Sequence, residues 1–140
     1  MILVVDDHPD IRRAMSLLLE LEGYQVSVAA SGEEALASLA SPPLPHCVIL
    51  DLSMPGMDGF DVLRAIRDDD RLKSLRVIVY SAHDGPLKDR AMAAGADAFV
   101  LKASLDWTWL DLLVKRYCCD PARQPVDDDV SIPTRHKGVG

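Results

Sequence analysis

Short apolar runs alternate along the chain with stretches whose apolar residues recur every three or four positions. Ile2 to Val5 is an unbroken apolar run of strand length, and Ile11, Met15, Leu18 and Leu19 follow it at helical spacing. Pro9 suits the first turn of that helix, and Gly23 offers its C-terminal stop. Tyr24 to Ala29 reads as a second strand. Ser31 and Glu34 then have the spacing of a capping box ahead of Ala35, Leu36 and Leu39, which predicts a second helix. The segment Ser41-Pro42-Pro43-Leu44-Pro45 must be a loop, because consecutive prolines cannot continue a helix. Cys47 to Leu50 is a third strand, and Phe60, Leu63 and Ile66 mark a third helix closed by the solvated run Asp68-Asp69-Asp70-Arg71. A fourth strand covers Val77 to Tyr80, a short Ala-rich helix runs from Leu87 to Ala94 and stops at Gly95, and a fifth strand covers Ala98 to Leu101. A last helix is expected from about Leu105 to Tyr117.

Strict alternation of this kind predicts a doubly wound α/β domain, because each parallel crossover requires a connecting helix and is right-handed. The unbroken apolar runs lack polar alternation, as strands covered on both faces do. At 140 residues the chain suits one domain, residues 1–119, with no internal repeat. From Asp120 the composition turns to Pro121, Pro125, Asp127-Asp128-Asp129 and Pro133, so 120–140 reads as a flexible tail or linker stub. A net charge of -7 argues against nucleic acid as a partner of this chain, since that binding relies on Lys and Arg displacing counterions. Protein partners and small cations fit better. Cys47, Cys118 and Cys119 follow no zinc spacing, and an odd count with an adjacent pair makes a poor disulfide framework. Met1 leads straight into Ile2 with no basic n-region and no apolar stretch of spanning length. The expected setting is the cytoplasm, with no membrane partner.

The polar residues at strand ends carry the chemistry. Asp6 and Asp7 end the first strand, Asp51 the third and Lys102 the fifth, while Ser81 follows the fourth. In an open parallel sheet, ligands bind outside the carboxyl ends of the strands, where the strand order reverses; in the flavodoxin-like order 2-1-3-4-5 that point lies between strands one and three. There Asp6, Asp7 and Asp51 would converge and repel one another unless a divalent cation sat among them.

These residues carry a resemblance to the receiver domain of response regulators in two-component signalling, over roughly residues 1–118. The matching features are Asp6-Asp7 after Val4-Val5, the stretch from Asp51 to Gly59 (Asp-Leu-Ser-Met-Pro-Gly-Met-Asp-Gly), Ser81-Ala82, Gly95-Ala96-Asp97-Ala98-Phe99 and Lys102. The resemblance implies that Asp51 is the phosphoacceptor, taking a phosphoryl group from a phosphohistidine on a sensor histidine kinase or a histidine phosphotransfer protein. It implies Mg2+ as cofactor, held by Asp6, Asp7, Asp51 and the backbone carbonyl of Ser53. Lys102 would pair with the phosphoryl oxygens, and Ser81 would hydrogen-bond one of them as its loop draws inward. Phe99 would turn inward in response and alter a face read by a downstream protein. Such a chain acts as a switch that catalyses its own phosphorylation and dephosphorylation only, and is not an enzyme for other substrates.

Bland roles exist for the same residues. Asp51 also suits an Asx-turn after a strand, Asp6 or Asp7 a cap for the first helix, Ser81 a turn, and Phe99 plain core. His8 and His83 lie near the site and read as modulators, not as metal ligands, and Ser53 shares the modulating role. Of Trp107 and Trp109, one is expected to be exposed, with Trp107 the candidate. The family has Pro after the lysine, whereas Ala103 stands here; a cis bond before Ala would cost roughly 3 kcal/mol, so a trans bond is expected. Phe99 lacks the hydroxyl of the tyrosine common at that place. Two other classes of function compete with this one. A haloacid dehalogenase-type phosphatase needs a second Asp two residues after the nucleophile, where this chain has Ser53. A receiver-like module that works without phosphorylation needs a broken acidic pocket.

Overall fold

The computed structural model describes residues 1–82, 85–101, 112 and 114–116. Nine elements alternate along them: β1 (Ile2–Val5), α1 (Pro9–Leu21), β2 (Val26–Ala29), α2 (Gly32–Ser38), β3 (Cys47–Asp51), α3 (Gly59–Asp68), β4 (Arg76–Ser81), α4 (Pro86–Ala93) and β5 (Ala98–Leu101). The strands form one parallel sheet in the order β2-β1-β3-β4-β5. That is the flavodoxin-like order expected above.

Period-two alternation divides the strand side chains between two cores. Ile2, Val4, Cys47, Ile49, Ile78 and Tyr80 face Met15 and Leu19 of α1, and Val114 joins them. Leu3, Val5, Val48, Leu50, Val77 and Val79 face Ala35 of α2, Phe60, Leu63 and Ile66 of α3, and Ala91 of α4. Both faces are therefore dry, and each fully buried aliphatic side chain contributes about 1.5–3 kcal/mol relative to exposure. Of the last helix, Leu112, Val114, Lys115 and Arg116 are helical, with Val114 buried. The remainder of that helix, Trp107, Trp109, the bond before Ala103 and the 120–140 tail lie outside the described residues.

Local chemistry sets the element ends. Pro9 opens α1, and Gly23 follows its end at φ +98. The second strand begins at Val26, two residues later than its apolar pattern implied, because the Tyr24 N–H still closes the end of α1 on the Leu19 carbonyl at 3.1 Å. Ser31 caps α2 as expected, accepting from the Glu34 N–H at 3.1 Å. The return arm differs: Glu34 Oε1 accepts from the Ala30 N–H at 2.9 Å instead of that of Ser31. The reciprocal capping box forms at α3, where Asp58 accepts from the Asp61 N–H at 3.0 Å and Asp61 from the Asp58 N–H at 3.2 Å. Cys47 is buried and disulfide-bonded, contrary to the expectation from the cysteine count; Cys118 and Cys119 lie outside the described residues.

Two contacts fix the frame around the carboxyl ends. Gly59, the first residue of α3, lies so close to β3 that an added Cβ would stand 2.4 Å from the Asp51 carbonyl oxygen and 2.6 Å from the Leu52 Cα. At the opposite edge, Arg67 of α3 donates to the carbonyls of Gly95 (2.6 and 2.9 Å), Lys73 (2.9 Å) and Leu75 (2.6 Å), and pairs with Asp97 at 3.1 Å. Asp97 also accepts the Val77 N–H at 2.8 Å, so one guanidinium ties together the turns that enter β4 and β5. Gly59→Ala should push α3 off β3 and cost about 1–3 kcal/mol as an overpacking change. Urea unfolding should show a lower midpoint at unchanged slope.

Candidate functional site

Parity and register build the site. Val5 of β1 pairs with Leu50 of β3, and Asp51 at the end of β3 pairs with Tyr80 of β4. Asp6, one residue beyond β1, therefore stands level with Asp51 and Tyr80. All three continue the face that carries Val4, Ile49 and Ile78. Asp6 and Asp51 are fully buried, while Asp7 is a quarter exposed and His8 more than half exposed. The cluster meets solvent on the Asp7 and His8 side.

One ligand atom from each of Asp6, Asp7, His8 and Asp51 lies within 4.8 Å of the others. Unit charges at about 4 Å repel by about 4 kcal/mol at an effective dielectric of about 20, a large share of a domain's net stability. Donors from the protein offset part of this. Asp6 Oδ1 accepts the His8 N–H at 2.8 Å, and His8 Nδ1 lies 3.2 Å from both Asp6 Oδ1 and Asp7 Oδ1. The Tyr80 hydroxyl donates to Asp6 Oδ2. Asp51 Oδ1 accepts the Ser53 N–H at 3.1 Å, and Arg12 donates to the Asp6 carbonyl at 2.7 Å. Asp7 Oδ1 is enclosed and meets the His8 ring without the geometry of a hydrogen bond. An oxygen-rich set of this size, with one enclosed carboxylate oxygen left over, fits Mg2+, which takes few carboxylates and keeps several waters.

Each expected residue has a definite place. Asp6, Asp7 and Asp51 are brought together, and Ser53 follows them on the loop after β3, joined to Asp51 through its own backbone N–H. Asp51 makes the Asx-type bond and belongs to the cluster as well, so the two readings of it coexist. Neither Asp6 nor Asp7 caps α1, whose N-cap is His8 with no side-chain bond. Ser81 is the last residue of β4, buried and paired with Leu101, and does not follow the strand. It shares a face with Phe99, which pairs with Val79 and packs half-buried on the α2, α3 and α4 side, away from the carboxylate face. Lys102 and His83 lie outside the described residues.

His8, expected as a modulator and not as a metal ligand, has its ring among the grouped ligand atoms. One residue of the cluster escapes the sequence pattern. Tyr80 reads as strand core, yet it is the donor beneath Asp6. The available signal was phase: two residues beyond Ile78, it must share the face of Asp51. Burial, followed by the hydrogen bond to Asp6 and its charge, holds the Tyr80 phenol far above its usual range, with Asp51 and Asp7 adding to the effect.

Tyr80 therefore stays protonated in the folded chain while the unfolded phenol titrates near pH 10. Its contribution to stability is complete below that pH and is lost as pH rises, because unfolding then releases a proton. Urea unfolding from about pH 9 to about pH 11 should lose stability more steeply in wild type than in Tyr80→Phe, by up to about 1.4 kcal/mol per pH unit.

Comparison with known proteins points the same way. The family model described as "Response regulator receiver domain" matches residues 2–108. The chain is 45% identical over 103 residues to the transcriptional regulatory protein KdpE of Mycobacterium tuberculosis, a match covering 73% of this chain and 44% of that protein. The chain thus spans less than half the length of that relative. Among solved structures, the chemotaxis protein CheY4 of Vibrio cholerae superposes with a TM-score of 0.76 at 31% identity, covering 83% of this chain and 96% of that one. The response regulator TrrA of Thermotoga maritima, in complex with Mg(2+)-BeF, gives a TM-score of 0.73 at 38% identity over 83% of this chain and 96% of its own. Among the described residues, no helix is long and apolar enough to cross a membrane.

Proposed function

Because the chain belongs to the response regulator receiver domain family of two-component systems, we propose that it is a Mg2+-dependent phosphoacceptor switch with Asp51 as the acceptor. The observation that carries this reading is the gathering of Asp6, Asp7 and Asp51 at the carboxyl ends of β1 and β3. Three acids crowded there gain nothing for folding by themselves, and they suit a cation that also meets a phosphoryl group.

The donor is a phosphohistidine on a sensor histidine kinase or a histidine phosphotransfer protein. An Asp51 carboxylate oxygen forms the new bond to phosphorus as the P–N bond breaks, and the electron pair returns to the imidazole nitrogen. Positioning and charge do most of the work in such a transfer. The Ser53 N–H on Asp51 Oδ1 orients the nucleophile. Asp6, Asp7, Asp51 and the Ser53 carbonyl would hold Mg2+, whose charge offsets the acids and the phosphoryl oxygens. Lys102 would add a point charge to the phosphoryl group. Ser81 would bond a phosphoryl oxygen, and Phe99, on the same face as Ser81, would repack behind it to alter the face read by a downstream protein. Catalysis in this scheme is confined to the chain's own phosphorylation and dephosphorylation.

Incubation with acetyl phosphate and Mg2+ should add one phosphoryl group, measured by intact-protein mass. Asp51→Ala and chelation of the metal should each abolish the addition. Labelling of Asp51→Ala at the wild-type rate would rule the reading out.

A further inference from the structure

Tyr80 is a group of the carboxylate cluster that the metal and phosphoryl chemistry proposed above does not use. Its Cα is level with Asp51 on the neighbouring strand, yet its hydroxyl bonds to Asp6, which lies one strand further on, beyond β3. The side chain must therefore run across the sheet beneath Asp51. Its ring belongs to the dry core with Ile49, Ile78 and Val100, and the residue is fully buried. The ring thus forms the floor of the pocket, and its hydroxyl is the floor's polar contact with Asp6.

The partners of Asp6 divide its two oxygens. Oδ1 takes the His8 N–H from the loop side, and Oδ2 takes the phenol from the sheet side. With a donor on each oxygen, the carboxylate plane cannot turn without losing a bond in a buried setting, where an unmade bond to a charged group is costly. The orientation so fixed keeps a ligand atom of Asp6 within 4.8 Å of those of Asp7 and Asp51.

We infer that Tyr80 is a positioning residue of the cation site, a floor hydroxyl that locks Asp6 in the orientation needed for Mg2+ to bind among Asp6, Asp7 and Asp51. This rests on the phosphoacceptor reading of the same pocket. Outer groups that orient metal ligands cost about 10–100-fold in metal affinity or activity when removed. The phenol contributes no ligand atom, so its effect is exerted through Asp6.

Calorimetric titration of Mg2+ into the full chain tests this with Tyr80→Phe, which keeps the ring in the core. The Mg2+ Kd should rise by about tenfold. The initial rate of labelling by acetyl phosphate should fall by a similar factor at Mg2+ near the wild-type Kd, and saturating Mg2+ should restore it. A purely structural role would lower stability without that rescue. In an Asp6→Ala background, Tyr80→Phe should leave the Mg2+ affinity nearly unchanged. An unchanged or tightened Kd in folded Tyr80→Phe, or an equal effect in both backgrounds, overturns the inference. Should the variant lose its cooperative unfolding, tyrosine ring-carbon NMR of the wild type decides. The Tyr80 signal is expected to move along the calorimetric Mg2+ isotherm, and a signal that stays fixed overturns the inference. Wild type that neither binds Mg2+ nor takes a phosphoryl group defeats the phosphoacceptor reading itself, whereas wild type that does both beside an unaltered Tyr80→Phe defeats only the role of Tyr80.

Discussion

Mutual repulsion among three carboxylates is the constraint around which this domain is arranged. Asp6 and Asp51 have no contact with solvent, and Asp7 has little. Charges so placed persist only where donors and a counter-charge are supplied. The chain supplies the donors from three directions: the His8 backbone above, the Ser53 backbone from the following loop, and the Tyr80 phenol below. In the reading proposed above, Mg2+ would add counter-charge at this edge, and with it affinity for a group rich in negative oxygen.

The sheet makes the crowding inevitable once the strand order is set. With β1 beside β3, the residues just past Val5 and Leu50 leave the sheet at the same height and on the same edge. No long-range search is needed to bring Asp6 near Asp51, since the ladder register does it. The dry faces on either side keep that edge rigid, and Gly59 brings α3 directly onto the backbone that carries Asp51. A methyl group at that position would have no room.

Strand ends and helix stops were legible because they depend on local rules. Apolar runs four to six residues long, the prolines at 42, 43 and 45, and the glycines at 23 and 95 each act within a few residues of themselves. The acidic trio was legible for a different reason: its members terminate strands, and parallel sheets gather such termini on one edge. What escaped were relations across strands and small shifts of phase. Tyr80 reads as one more apolar strand residue until the register sets it beside Asp51. The capping box at α3 uses Asp61 in place of the usual Glu or Gln, which hid it. Tyr24 looked like strand because its hydrophobicity is visible in the sequence and its N–H bond to Leu19 is not. Ser81 was set one place too late because β4 runs one residue past its apolar run.

Arg67 gives the molecule an unequal pair of ends. At the amino end of β4 and β5, a single guanidinium binds three carbonyls and the Asp97 carboxylate, so those strands are anchored there as if by a rivet. At the other end, Ser81 and Leu101 are where the two strands leave the ladder. A beam clamped at one tip bends at the other. A force applied near Ser81 therefore acts at the full length of β4 from the Arg67 clamp, where its leverage on β4 and β5 is greatest.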